Sequence, residues 1–187
     1  MSEETKIGPD TAMSQVLDYY PGAQRALFAK YHIGGCASCG FRPDETLGGV
    51  CERNENIPVD EAMAHIAESH ANDLARQVQP LDLKTVIEAD EKESPALLDL
   101  RTREEFENAK IAGAELFSHD KLQDIMGSWP KDRAIVIYDH RGESSCMDAA
   151  AYLEGHGFEN VRTLCGGIDA YAKEADPSLP RYRLEIA

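Results

Sequence analysis

The sequence is short of positive charge. Lys and Arg number 19 against 34 Asp and Glu, so the net charge is −15 and the pI is near 4.7. A surface of that sign repels nucleic-acid phosphates and anionic lipid, and neither is expected as a partner. The acid is spread along the chain, so it reads as solvated surface and not as an acidic tail. No hydrophobic run reaches membrane-spanning length. Met1 to Asp10 is polar and lacks the apolar stretch of a secretory signal. A cytoplasmic location is therefore expected. Cysteine is sparse and odd in number: Cys36, Cys39, Cys51, Cys146 and Cys165. That count argues against a disulfide framework and favours redox, metal or buried-thiol roles. Internal repeats and low-complexity segments are also lacking.

What is present is an ordinary globular composition. Of 187 residues, 42% are hydrophobic, enough for a core in one large domain or two small ones. The first part reads as small and helical. Val16, Leu17 and Tyr20 stand at helical spacing over Met13 to Tyr20. Pro21 suits a first turn, so a second helix is predicted from Pro21 to Tyr31, with Ala23, Ala26, Leu27 and Tyr31 inward. Gly34 and Gly35 end it, and Cys36 to Pro43 is a loop. Asp44 or Glu45 opens a short helix carrying Leu47, Val50 and Cys51. A longer helix follows Pro58, with Ala62, Met63, Ile66, Ala67 and Leu74 on one face. The expected domain spans residues 10–75. At roughly 60 residues it is near the lower limit for independent stability, and calls for metal, its neighbouring domain or a second copy as a homodimer.

The second part, residues 78–187, alternates strand and helix. Strands are expected at Ala96–Leu100, Ala114–Phe117, Ala134–Tyr138 and Val161–Leu164. Helices are expected at Glu104–Ala109, opened by Thr102, at Ser145–Gly155 and at Ile168–Tyr171. The apolar run at Ala134–Tyr138 suits burial on both faces. Such alternation implies an α/β fold, a parallel sheet with helices on both faces. The boundary between the parts is placed near Arg76–Leu81.

Separated motifs in this half share one resemblance. After the first core strand come Asp99 and Arg101, then Glu105-Phe106 on the helix, then Ile111, Gly113 and Ala114 leading to the next strand. Near the end stands Gly166-Gly167-Ile168-Asp169-Ala170. In this order they resemble the rhodanese family over roughly residues 78 to 182, with Lys110 where a His is usual. The resemblance implies a rhodanese-like fold and an active-site loop between the strong strand and the Ala-rich helix. In the family that loop wraps backbone N–H groups around a cysteine, whose thiolate takes up sulfane sulfur. The usual pattern is Cys-x-x-Gly-x-Arg-Ser. Here the loop reads Asp139, His140, Arg141, Gly142, Glu143, Ser144, Ser145, Cys146. Counted forward from Tyr138, the cysteine position is Asp139. Counted back from Gly157-Phe158, it is His140 and the loop is one residue longer. Neither register supplies the nucleophile or the closing Arg.

The loop's own chemistry points the same way. Asp139 and Glu143 set carboxylates beside a cradle suited to anions, and Arg141 offsets one of them. Thiosulfate sulfurtransferase activity is therefore expected to be absent. Asp139 or His140 could act as base or ligand, but Asp139 as acceptor for the loop's own N–H groups is the simpler role. Cys146 lies in the first helical turn, where the dipole favours thiolate, and is the one substitute nucleophile in this half. A packed thiol is the plainer reading. Cys165, at a strand end, reads as a small buried hydrophobe.

In the first part, Cys36-Ala37-Ser38-Cys39 places two thiols across a loop that follows a helix. This spacing suits a reversible disulfide, a persulfide carrier or half of a metal site. Cys51 and His32 would complete four ligands for zinc or an iron–sulfur cluster. Against that, Cys51 stands at core spacing with Leu47, and His32 reads as a solvated cap. His65 and His70 read as surface residues. The Tyr20-Pro21 turn, Gly35-Cys36-x-x-Cys39 and Glu45-Thr46-Leu47 together resemble small helical domains associated with redox disulfides and hybrid-cluster proteins. They are similar to the N-terminal module of iron-centre repair proteins. Roughly residues 10 to 72 are covered.

The leading expectation is a bacterial, cytoplasmic, two-domain protein of sulfur, thiol or iron–sulfur handling. Cys36 and Cys39 would carry the chemistry, and the rhodanese-like domain would bind. Its partners would be a sulfur-carrier or redox protein, or iron–sulfur assembly components. The rivals are an active sulfurtransferase using Cys146 or an N-terminal cysteine, and a purely regulatory interaction protein.

Overall fold

The computed structural model describes residues 7–34, 40–89, 94–142 and 144–181. The chain divides into two compact units, Met1–Ala75 and Arg76–Ala187. Among the described residues no helix is long and apolar enough to cross a membrane.

The described residues of the first unit form four helices: α1 (Met13–Tyr19), α2 (Ala23–Tyr31), α3 (Leu47–Arg53) and α4 (Val59–Ala75). Met13, Val16, Leu27, Leu47, Val50, Cys51 and Ile66 make the core between them. Thr46 caps α3, its hydroxyl accepting the Gly49 N–H at 3.2 Å. Helix α2 begins at Ala23 and not at Pro21, because the Ala23 N–H is drawn into a turn by the Tyr20 carbonyl. His32 closes α2 with φ 58°, exposed, its N–H donating to the Leu27 and Phe28 carbonyls.

Three expectations for this unit need correcting. Leu74 faces outward, 52% exposed. The inward position on the last turns of α4 belongs to Asp73, which is buried in an ion pair with Arg25, and Leu74 is rotated about 100° from it. His65 and His70 are half-buried and engaged. A His65 ring nitrogen lies 3.0 Å from the Ala26 carbonyl oxygen, and His70 meets Tyr20 edge-on at 5.2 Å.

The second unit is a parallel sheet. Its elements are β1 (Gln77–Val78), α5 (Pro80–Ala89), β2 (Ala96–Asp99), α6 (Arg103–Asn108), β3 (Glu115–Leu116), α7 (His119–Ser128), β4 (Ile135–Tyr138), α8 (Ser144–Gly155), β5 (Val161–Leu164) and α9 (Gly167–Glu174). The strand order is β1-β5-β4-β2-β3, and every pair is parallel. Side chains alternate across the sheet. On one face Leu97, Val136, Tyr138 and Leu164 pack with Leu83 of α5 and with Ile168 and Tyr171 of α9. On the other, Leu98, Ile135, Ile137 and Val161 pack with Ile125 of α7 and with Cys146, Ala150 and Leu153 of α8. Both faces are thus covered, as a parallel sheet requires. Helices α5 and α7 and strand β1 were not expected, and β3 is shorter than Ala114–Phe117. Thr102 forms a reciprocal capping box with Glu105 at the start of α6.

Candidate functional site

The carboxyl ends of β4 and β5 lie side by side, the usual place for a site in an open parallel sheet. After β4 the chain runs through Asp139–Gly142 and enters α8 at Ser144, one residue earlier than expected. After β5 it turns at Gly166-Gly167 into α9. These two turns hold each other. The Ile168 N–H donates to the Asp139 carbonyl at 3.0 Å, and the Asp169 N–H donates to the His140 carbonyl at 3.1 Å. Both glycines at the seam are required. Gly167 has φ +60°, and a Cβ on it would meet the Arg141 nitrogen and the Asp139 carbonyl oxygen at 2.6 Å. Gly142 has φ +76°, and a Cβ there would lie 2.9 Å from the Gly166 nitrogen.

With its first two carbonyls turned toward α9, the loop turns its N–H groups inward. They converge on Asp139. Its Oδ1 accepts the Arg141 N–H at 3.1 Å and the Gly142 N–H at 2.6 Å, and its Oδ2 accepts the Ser145 hydroxyl at 2.9 Å. Asp139 is 6% exposed. Asp139 therefore is an acceptor for the loop's own amides, and it is the first position counted forward from Tyr138. His140 is buried, whereas Arg141, Ser144 and Ser145 are exposed. Glu143 lies outside the described residues.

Beneath the loop is a second polar cluster whose function the sequence did not disclose. Asp99, at the end of β2, is fully buried. Its Oδ1 accepts from the Arg101 backbone N–H and Nε, both at 3.0 Å, and its Oδ2 accepts from Arg101 Nη2 at 2.6 Å. Arg101 Nη2 also donates to the Ala109 carbonyl at 2.6 Å. Tyr138, the residue before the loop, accepts the Ile111 N–H on its hydroxyl at 3.3 Å. Burial, then the Asp99 charge and hydrogen bond, hold the Tyr138 phenol far above its ordinary pKa. The cluster ties β2, β4 and the segment after α6 together under the loop. In sequence it was visible only as the Asp99 and Arg101 of a family motif.

The cysteines divide sharply. Cys146 is fully buried in the cluster that holds Leu98, Ile137 and Ala150, so its thiol is closed to solvent. Cys165 is half-exposed, which corrects its reading as a buried hydrophobe. Its backbone N–H donates to the Val78 carbonyl at 3.0 Å, one residue past the end of β5. Cys51 is fully buried in the helical core, and burial pushes its thiol pKa up. Cys36 and Cys39, with which it would form a metal site, lie outside the described residues. Among the described residues no group of three or more His, Cys, Asp or Glu side chains is placed to hold a metal ion.

Comparison with known proteins places the second unit. The family model of the rhodanese-like domain matches residues 82–174. The thiosulfate sulfurtransferase GlpE of Shewanella oneidensis is 32% identical over 91 residues, covering 49% of this chain and 89% of that protein. The chain belongs to the rhodanese family. A sulfurtransferase of Allochromatium vinosum is 36% identical over 85 residues, 46% of this chain and 78% of its own length. The adenylyltransferase and sulfurtransferase UBA4 of Candida albicans aligns over 182 residues at 26% identity, 87% of this chain but 38% of that protein. Within the rhodanese fold of this chain, the Asp139 carboxylate receives the loop amides.

Proposed function

We propose that this protein handles sulfur or thiols with two differently equipped parts. The rhodanese-like unit binds a partner without transferring sulfur, and Cys36 and Cys39 supply redox, persulfide or metal chemistry. The observation that carries the first half is the Asp139 carboxylate, which takes two loop N–H groups and the Ser145 hydroxyl. A family cysteine attacks as a thiolate stabilised by such amides. A carboxylate in that position carries no sulfane sulfur and repels an anionic donor. Cys146 is sealed in the core and offers no replacement. The sulfurtransferases named above support sulfur handling as the setting. Sulfur transfer from thiosulfate is not carried over, because the loop lacks the atom that performs it.

Cys51 is read as a packing thiol of the helical core, which leaves a two-thiol site at Cys36 and Cys39. The partner in this reading is a cytoplasmic sulfur-carrier or redox protein, or a component of iron–sulfur assembly.

The test is a cyanide-dependent thiosulfate assay on the intact chain, with thiol titration and metal and sulfide analysis after anaerobic purification. No thiocyanate above the uncatalysed rate is expected. Turnover lost in Cys36→Ala or Cys39→Ala would instead make the protein a sulfurtransferase that uses an N-terminal cysteine. Thiol reactivity and metal content unchanged by both substitutions would remove the assigned role of the pair.

A further inference from the structure

The loop's outer support leads to the segment that follows α9. The first turn of α9 holds the loop through the Ile168 and Asp169 amides, which donate to the carbonyls of Asp139 and His140. The Asp169 side chain points the other way, onto Arg181. Arg181 Nε lies 2.8 Å from Asp169 Oδ1, and its Nη2 lies 3.0 Å from Oδ2, a two-pronged pair. This guanidinium is the main reason that the Asp169 carboxyl is held below its usual pKa. His140 and Arg141 of the loop contribute smaller effects of the same sign.

Residues 176–181 are built to return to that point. At the far end of α9, Lys84 Nζ of α5 donates to the Ala175 carbonyl at 2.7 Å. Asp176 then accepts from the Ser178 backbone N–H at 3.1 Å and from its hydroxyl, and the Leu179 N–H donates back to the Asp176 carbonyl at 3.1 Å. This turn reverses the chain. Leu179 packs onto the apolar cluster that contains Ile168 and Tyr171. From there the chain runs to Arg181 beside the first turn of α9. The helix is bracketed at both ends, with the loop hanging from the end that Arg181 grips.

We infer that residues 176–181 form a clamp on the loop, and that Arg181, acting through Asp169, is a positioning residue for the Asp139–Gly142 backbone. Arg181 touches no loop atom through a hydrogen bond among the described contacts. It fixes the α9 turn whose amides hold the loop carbonyls, and those carbonyls turn the Arg141 and Gly142 N–H groups toward Asp139. The pair is half-exposed, with side-chain exposures of 51% and 28%, so salt weakens it. The clamp is therefore a point at which ionic conditions, or a competing carboxylate, loosen the loop without disturbing the sheet. As regulation of the docking surface it rests on the proposed binding role. As a statement about loop geometry it does not.

The test is residue-resolved amide exchange on the intact chain, comparing wild type with Arg181→Gln, Arg181→Lys and Asp169→Asn at low salt and in molar sodium chloride. Loss of a surface ion pair of up to about 1 kcal/mol corresponds to roughly two- to fivefold. Exchange at Arg141, Gly142, Ile168 and Asp169 is expected to accelerate by that factor in Arg181→Gln, with amides of β2 and β4 unchanged. Arg181→Lys should fall between the two. High salt should accelerate the same four amides in wild type and add nothing in Arg181→Gln. Unchanged exchange at the loop in both Arg181 variants overturns the inference. So does acceleration spread evenly over the whole unit, which would mean general destabilisation. A loosened loop with unaltered partner binding would leave the clamp standing and remove the docking role instead.

Discussion

Two neighbouring parallel strands end in the same three-residue form. Asp99-Leu100-Arg101 begins on the last residue of β2, and Asp139-His140-Arg141 follows β4. In both, the aspartate Oδ1 accepts the backbone N–H two residues on, at 3.0 Å and 3.1 Å. There the likeness stops. Arg101 folds back on Asp99 and is buried with it, because the Ala109 carbonyl is waiting for the rest of its guanidinium. Arg141 points to solvent and makes no ion pair among the described residues, while Gly142 and Ser145 complete the shell of Asp139. One sequence form therefore gives a structural ion pair where a following segment covers it. It gives a neutral-donor turn with an outward-facing cation where no carbonyl among the described residues receives the guanidinium. The difference lies in tertiary cover and not in the residues themselves.

That contrast can be broken at either end. The largest effect should come from Arg101→Ala, which leaves the Asp99 carboxylate buried without its guanidinium. A loss of about 3–5 kcal/mol in urea unfolding is expected, and a loss under 1 kcal/mol would show that the cluster is not the support assigned to it. Asp139→Ala strips three donors of their acceptor but leaves them near solvent. About 1–3 kcal/mol is expected from the same measurement. Equal losses in the two variants would erase the distinction between buried pair and open turn.

A smaller effect appears with alkali. Tyr138 keeps its proton in the folded state well past the point at which the unfolded chain releases it. The unfolded state then binds fewer protons, so stability is full below the unfolded pKa of about 10 and falls as pH rises above it. The slope from this one group approaches about 1.4 kcal/mol per pH unit. Tyr138→Phe should flatten that limb when unfolding is followed from pH 9 to pH 11 (about one unit either side of the unfolded tyrosine value), and an unchanged slope would place the phenol in water. The smallest effect is that of Arg141→Gln, expected to change stability by no more than about 0.5 kcal/mol. A larger change would mean that this arginine, like Arg101, belongs to the fold.

The second unit was legible where motif and periodicity agreed. Ala134–Tyr138 reads as a doubly buried strand, and Ile135–Tyr138 is one. The missing nucleophile was legible too, since it is a matter of residue identity. What closes the loop was not. The glycine pair stands out as a family signature, but nothing in a one-dimensional string says that it touches Asp139 and Arg141. Helix α7 could have been read, with Ser118 as cap and Leu122, Ile125, Met126 and Trp129 at helical spacing. Helix α5 was harder, because Leu81 and Val86 are exposed and blur its apolar stripe. In the first unit, Asp73 occupies an inward position that a hydrophobic pattern assigns to its neighbour Leu74.

Gly167 turns the loop and α9 into a single object for the purposes of engineering. Where a side chain would stand at that residue there is loop backbone, 2.6 Å from the missing carbon. Any attempt to regraft a sulfur-carrying cysteine loop onto this protein must leave that glycine in place. A transplant of residues 139–145 would be cast in a mould whose other half is the glycine pair the family shares.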